Sequence, residues 1–511
     1  MPIAVLDPLV VEPLTLAELA NVLPGSLLVG DDWTLISGVQ YDSKKIGKGD
    51  LFVALSGGYF DGHNFVEQAR ANGAAAILVE RQLDADIPQV VVGETRAALA
   101  KVAASFYRYP SHRLEVVGIT GTDGKTTTSY LVESIFDSAG WKTGIIGTVG
   151  VRVGEVVLDA ETRQTTPESL DVQRHLATMV QIGARAAIIE ATSHGLDLHR
   201  LDETRFVTGA VTNVTHEHLE HHKTIAAYRR AKAILFERVG ENHGRVVVNI
   251  DDEGAREMIP YASGATLVTY SADGRAAGLI ARNIQLKVTG SQFEVQSKKH
   301  GTHLVETPMV GLFNVANALC ALGIALSHDI SLKLSIHALR QTPQIPGRME
   351  PVKQGQPFAV IVDYAHTPES IEKVLSLLSA LTSGKLILVM GSAGERDRTK
   401  RPIQGEVAAR LAHYSVFTTE DPRFESAEAI IQEIAAGAIE QGAVEGRDFA
   451  CVTDRREAIK LALAVAEPGD CVLLAGKGHE RSIIWGLEKR PWNEGLVASE
   501  LLSTMGFGKD S

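Results

Sequence analysis

The segment Gly118-Ile119-Thr120-Gly121-Thr122-Asp123-Gly124-Lys125-Thr126-Thr127 constrains this chain more than any other stretch. It follows the apolar run Leu114 to Val117 and leads into a helix-compatible sequence from about Thr127. A strand that enters a Gly-rich turn at the head of a helix presents backbone N–H groups to anionic oxygens. In such a turn Lys125 reaches the β and γ phosphates of a nucleotide and Thr126 offers its hydroxyl to Mg²⁺, which points to phosphoryl transfer from ATP. Counted from Gly118, the turn holds five residues before Gly124, where the common pattern has four. A surface turn that happens to carry one lysine is the competing reading.

The 511 residues suggest about three domains of ordinary size. Residues 1–110 alternate short apolar runs, among them Leu51 to Leu55 and Ala74 to Val79, with polar turns, as in a small α/β domain. Residues 111–343 continue with strand candidates Ala186 to Glu190 and Val207 to Val211, and Gly278 to Glu306 alternates like a small β-rich excursion. After the turn Pro343 to Gly347, residues 344–511 carry strand candidates Ala359 to Val362, Lys385 to Met390 and Cys471 to Ala475, with Ala-rich helix candidates such as Ala427 to Ala436. The alternation predicts α/β domains with largely parallel sheets and ligands at the carboxyl ends of the strands. A net charge of −12 argues against a general nucleic-acid binder. The start lacks a basic leader segment and no apolar run is long enough to span a bilayer, so a cytoplasmic protein without a membrane span is expected. Cys320, Cys451 and Cys471 are too scattered for a disulfide framework and read as core residues.

Glu190 ends an apolar run and is followed by Thr192-Ser193-His194; a carboxylate there suits Mg²⁺ beside phosphates, or simply the next turn. The run from Asn213 to His222 is dense in metal-ligand types but lacks the HExxH spacing, because Glu220 stands four residues after His216. Lys232, among the apolar residues of Ala231 to Phe236, reads on its own as a surface lysine with a buried stem. In the last third, Asp363-Tyr364-Ala365-His366, Gly391 to Arg398 and Gly476-Lys477-Gly478-His479-Glu480 each follow an apolar strand, and three polar strand exits predict one ligand-facing edge.

These segments together resemble the Mur ligases, and among them the MurE-type, tripeptide-forming branch, over nearly the full length. Asp42-Ser43-Lys44, Gly49 to Leu55, Asp61-Gly62-His63, Gly311 to Asn317, Pro346 to Glu350 and Lys400-Arg401-Pro402 carry the likeness beside those above. The resemblance implies three domains: a UDP-precursor-binding domain, a central ATPase domain with a phosphate loop and a Rossmann-like amino-acid-binding domain. It implies ATP-dependent addition of a diamino acid to UDP-N-acetylmuramoyl-L-alanyl-D-glutamate through an acyl phosphate, in peptidoglycan precursor synthesis, by a monomer. By the same likeness Gly121, Thr122, Gly124, Lys125, Thr126, Thr127, Asn317, Arg348, Asp363 and Tyr364 contact ATP. Thr126, Glu190, His218 and a carbamylated Lys232 hold Mg²⁺, and Lys125, Glu190, His218 and Lys232 serve the chemistry. Ser43 is the UDP contact, while Thr165 and Thr166 hold the muramoyl dipeptide, a likeness that Ser193, His194 and Arg200 extend.

By the same resemblance, Asp421, Arg423, Gly476 and Glu480 fall at the positions that bind the added amino acid. The chain reads Glu420-Asp421-Pro422-Arg423 where the diaminopimelate-adding branch has Asp-Asn-Pro-Arg. A carboxylate at Asp421 disfavours a distal carboxylate, so L-lysine or L-ornithine is expected ahead of meso-diaminopimelate. The chain also departs from the family at Asp123, Glu217 and Glu220. A precursor-binding protein without ligase activity is the alternative that the changes at Asp123 and Glu217 leave.

Overall fold

The computed structural model describes residue 9 and residues 11–57, 61–159, 164–215, 219–287 and 290–508. Three large sheets, beside two two-stranded ones, organise the described residues. The first has the order Leu27–Val29, Gln89–Val91, Ala76–Val79, Asp50–Val53 and Gly38–Gln40, parallel except for its first pair. Val53, Ala76, Leu78 and Val90 on one face pack against Leu99, Val102 and Ala103 of the helix Thr95–Phe106.

The second sheet has eleven strands, and its centre runs Thr143–Gly147, Ala186–Glu190, Glu115–Thr120, Thr208–Val211, Arg245–Asn249, Thr266–Ser271, all parallel. These strands are apolar along their length because helices cover a parallel sheet on both faces. Val116, Ile189, Val211 and Val246 meet Leu235, Phe236 and Val239 of the helix Ile225–Glu241. The β-rich stretch expected from Gly278 to Glu306 forms strands Leu279–Lys287, Gly290–Ser297 and Gly301–Thr307 at one end of this sheet.

The third sheet has the order Glu350–Pro351, Ala359–Asp363, Cys471–Ala475, Leu386–Met390, Tyr414–Phe417, Phe449–Cys451, parallel after its first strand. Because adjacent strands are parallel, Asp363, Gly391, Thr418 and Gly476 all leave the sheet on one edge. Residue contacts divide the chain into two compact units. One runs to Asn283 and takes in Phe293–Val305 and Phe313–Gln341; the other holds Ile284–Gln292, Glu306–Leu312 and Thr342–Ser511.

Two local expectations are corrected. The strand before the Gly-rich turn extends to Thr120 and the helix starts at Lys125, two residues earlier than read from the sequence. Gly118 is therefore a strand residue, and a Cβ there would fall 2.6 Å from Leu235 and 2.9 Å from Phe206. It is glycine because a helix packs close against it, and the turn proper is only Gly121–Gly124. Cys451 is half-buried, whereas Cys320 and Cys471 lie in the core.

Candidate active site

The strand Glu115–Thr120 delivers the turn to the neighbouring strand end, where side chains hold it in shape. Asn213 receives Thr122 N on its carbonyl oxygen at 2.8 Å and Asp123 N on its side-chain oxygen at 3.0 Å, and Thr212 Oγ1 donates to Asp123 O at 2.6 Å. Gly124 has φ +85°, and a Cβ there would meet Asn317 Oδ1 at 2.4 Å. Asn317, from the helix Leu312–Ser327, thus lies directly against the turn.

Lys125 Nζ donates to Gly121 O and Thr122 O, both at 2.8 Å. Lys232 Nζ also donates to Gly121 O at 2.8 Å and sits 4.5 Å from the centre of the Tyr228 ring. Its side chain is buried at 2% exposure, so the residue-by-residue reading of a surface lysine is wrong. The apolar neighbours that suggested a buried stem instead carry the whole side chain inward, to the phosphate turn.

Glu190 is buried and accepts from Thr126 Oγ1 at 3.0 Å, Thr148 Oγ1 at 2.8 Å and Thr148 N at 3.1 Å. A hydroxyl and a carboxylate so placed offer the hard oxygen donors that Mg²⁺ takes. Thr148 was missed by sequence reasoning, although it follows the strand Thr143–Gly147 at the same edge as Glu190. Thr148 also meets Thr165 Oγ1 at 3.1 Å. Next to it Thr166 Oγ1 donates to Glu190 O at 2.7 Å and meets Thr192 Oγ1 at 2.8 Å. Arg200 donates to Thr166 O at 3.2 Å and pairs with Glu168 at 3.2 Å. Ser193 Oγ is buried with no hydrogen-bond partner among the described residues. The sites read as phosphate, metal and dipeptide contacts are thus contiguous in one unit. Thr127 faces inward from the first turn of the helix Lys125–Ser138. His218 lies outside the described residues. Ser43 is on the first sheet's side of the unit, its hydroxyl donating to Gln68 Oε1 at 2.8 Å.

A second cluster forms on the edge of the third sheet. Asp363 receives Met349 N and Ala365 N, each at 2.8 Å, and Arg348 lies 5.1 Å from the centre of the Tyr364 ring. Burial and Glu480 push the Tyr364 phenol well up. Lys477, fully buried, donates to Asp421 at 2.8 Å and to Glu480. Burial opposes its charge, but Glu480 and Asp421 outweigh that and hold the ammonium above its usual range. Glu420 is buried with Oε2 unpaired, 3.1 Å from where a Gly476 Cβ would lie, and Arg423 Nε is likewise unpaired among the described residues. In sequence the segment around Lys477 is a polar strand exit with no sign of the lysine's role; only the fold places it between two carboxylates.

Strand, phosphate turn and buried carboxylate define an α/β protein of the phosphate-loop class. Known proteins agree: residues 35–107 match the model for the Mur ligase family, catalytic domain, residues 119–325 that for the Mur ligase middle domain, and residues 347–478 that for the Mur ligase, glutamate ligase domain. The UDP-N-acetylmuramyl-tripeptide synthetase of Roseiflexus sp. (strain RS-1) is 43% identical over 93% of this chain and 96% of its own length. The UDP-N-acetylmuramoyl-L-alanyl-D-glutamate–2,6-diaminopimelate ligase of Bacillus cereus is 38% identical over 92% of this chain and 94% of its own. A solved ligase of that second name is similar with TM-score 0.68 and 29% identity, covering 97% of this chain and 99% of the other. The chain belongs to the Mur ligase family and is an enzyme of that family. Among the described residues no helix is long and apolar enough to cross a membrane.

Proposed function

We propose that this chain joins a diamino acid to UDP-N-acetylmuramoyl-L-alanyl-D-glutamate at the expense of ATP, forming the tripeptide precursor of peptidoglycan. The observation that carries the reading is the contiguity of the phosphate turn, Glu190, Thr165, Thr166 and Ser193 in a chain similar along its length to a tripeptide synthetase. In the reaction the D-glutamyl carboxylate oxygen attacks the γ-phosphorus and ADP leaves. The amine of the incoming amino acid then attacks the acyl phosphate carbonyl, an amide forms, and phosphate and a proton depart. Lys125, released from its two carbonyls, would offset charge on the transferred phosphoryl group, and Ser193 and Arg200 would hold the dipeptide. Thr126 and Glu190 would hold Mg²⁺, which supplies charge neutralisation of the phosphates when bound.

Two ammonium groups, on Lys125 and Lys232, converge on the one carbonyl of Gly121. Addition of CO₂ to the neutral Lys232 amine, with loss of a proton, would replace one cation by an anionic carbamate and supply a further oxygen ligand. This supports the carbamylated lysine, and a carbamate resonance in ¹³C NMR after ¹³C-bicarbonate labelling, absent in Lys232→Ala, tests it.

For the added amino acid we favour L-lysine or L-ornithine. Asp421 and Glu480 set two carboxylates against the one ammonium of Lys477, which leaves one negative charge for a single distal ammonium to balance. The names of relatives such as the Bacillus cereus ligase, and the retained Arg423, favour meso-diaminopimelate as the second reading. Phosphate release that requires precursor and amine together is the expected behaviour; precursor binding without such release would support a binding-only protein.

A further inference from the structure

Beside the catalytic region, the short helix Ser193–Asp197 faces the single turn Leu219–His222, and three imidazoles and a carboxylate meet there. The His194 ring lies 4.4 Å from that of His221 and 5.5 Å from that of His222, centre to centre, and the His221 and His222 rings are 4.6 Å apart. Asp197 Oδ2 accepts from His221 Nε2 at 2.8 Å. One ligand atom from each of Asp197, His221 and His222 can be chosen so that all lie within 4.8 Å of one another.

We infer that Asp197, His221 and His222 form a binding site for a divalent first-row transition ion, with Zn²⁺ as the reference ligand. Two imidazoles and one carboxylate are a donor set such ions favour, whereas Mg²⁺ takes oxygen. Metal–ligand bonds of about 2.0–2.2 Å in a tetrahedron place ligand atoms about 3.3–3.6 Å apart. The widest separation, within 4.8 Å, needs to close by about 1.5 Å at most, while Asp197 Oδ2 and His221 Nε2, 2.8 Å apart, open by about 0.5 Å. Side-chain rotation achieves this, because Asp197 is exposed and His221 half-exposed, with only His222 held in the interior. The hydrogen bond between His221 and Asp197 already holds their ligand atoms side by side. The ion takes the place of its proton, which moves to Nδ1 of His221 as the tautomer changes. Three protein ligands leave a fourth position to water. His222 packs on the Tyr228 ring at 5.4 Å, and Tyr228 OH lies 3.0 Å from Thr122 Oγ1 of the phosphate turn, so the site adjoins the catalytic region without sharing its oxygen donors.

The site is tested on the full chain in saturating Mg²⁺ by equilibrium dialysis against Zn²⁺, with bound metal counted by mass spectrometry and Co²⁺ as a visible-spectrum probe of nitrogen ligation. One equivalent of Zn²⁺ per chain is expected, weakened at least tenfold in Asp197→Asn and in His221→Phe. Both substitutions lie at accessible positions, and circular dichroism confirms that the variants are folded. Glu190→Gln, which alters only the proposed Mg²⁺ ligands, is expected to keep the equivalent. No equivalent in the wild type, an unchanged equivalent in both variants, or loss only in Glu190→Gln overturns the inference.

Discussion

Asp421→Asn is the substitution whose effect follows most directly from the charge arrangement around Lys477. The carboxylate is nearly buried, and its Oδ1 accepts from Lys477 Nζ at 2.8 Å and from Ile484 N at 3.0 Å. An asparagine oxygen can keep the second bond, and Lys477 keeps Glu480, so the fold is retained while one negative charge is removed. A distal ammonium placed about 6 Å from that charge, at an effective dielectric constant of about 20, loses about 3 kcal/mol of attraction. For L-lysine or L-ornithine this is on the order of a 100-fold fall in kcat/KM. The distal end of meso-diaminopimelate carries both charges, so its two terms largely cancel and its kcat/KM is expected to stay level or rise. Steady-state phosphate release with each amino acid, at saturating ATP and precursor, reads the ratio. A change in that ratio of less than threefold would refute the electrostatic reasoning.

Gly124→Ala places a side chain at φ +85° and against Asn317, at a cost of about 1–3 kcal/mol, and is expected to raise the KM for ATP about tenfold or more while precursor binding by calorimetry is unchanged. Glu494→Ala strands Arg455, which is buried and also donates to Thr419 O at 3.0 Å and Ala475 O at 2.7 Å. The expected loss of about 3–5 kcal/mol lowers the melting of the third-sheet unit by on the order of 10 °C in calorimetry, and a shift below 2 °C would contradict it. Burial depresses the His175 imidazole to about 4, so the unfolded chain binds the extra proton between that value and about 6.5. Stability is therefore full above about pH 6.5 and lost as pH falls toward 4, and His175→Leu is expected to flatten this dependence in denaturant titrations at pH 5 and pH 7.

The parallel strands and the phosphate turn were legible because a buried strand is an unbroken apolar run ending at a polar residue. Ala186 to Glu190 and Cys471 to Ala475 appear in the structure with the bounds read from the sequence. Gly118 misled because a glycine needed for helix packing and one needed for a turn look alike in sequence. Lys232 misled for a related reason: apolar neighbours are compatible with a lysine that lies at the surface or points inward, and only its bond to Gly121 O distinguishes them. Thr148 and Lys477 act through partners 42 and 56 residues away in sequence, a coupling that local pattern does not encode.

Ligation shows itself in the mass of the product. Purified protein is incubated with UDP-N-acetylmuramoyl-L-alanyl-D-glutamate, ATP and Mg²⁺, with L-lysine, L-ornithine or meso-diaminopimelate offered separately. A precursor heavier by one amino-acid residue is expected, formed fastest with L-lysine or L-ornithine. Exclusive use of meso-diaminopimelate would overturn the specificity, and no mass increase with any of the three, in folded protein that binds the precursor, would contradict the ligase itself.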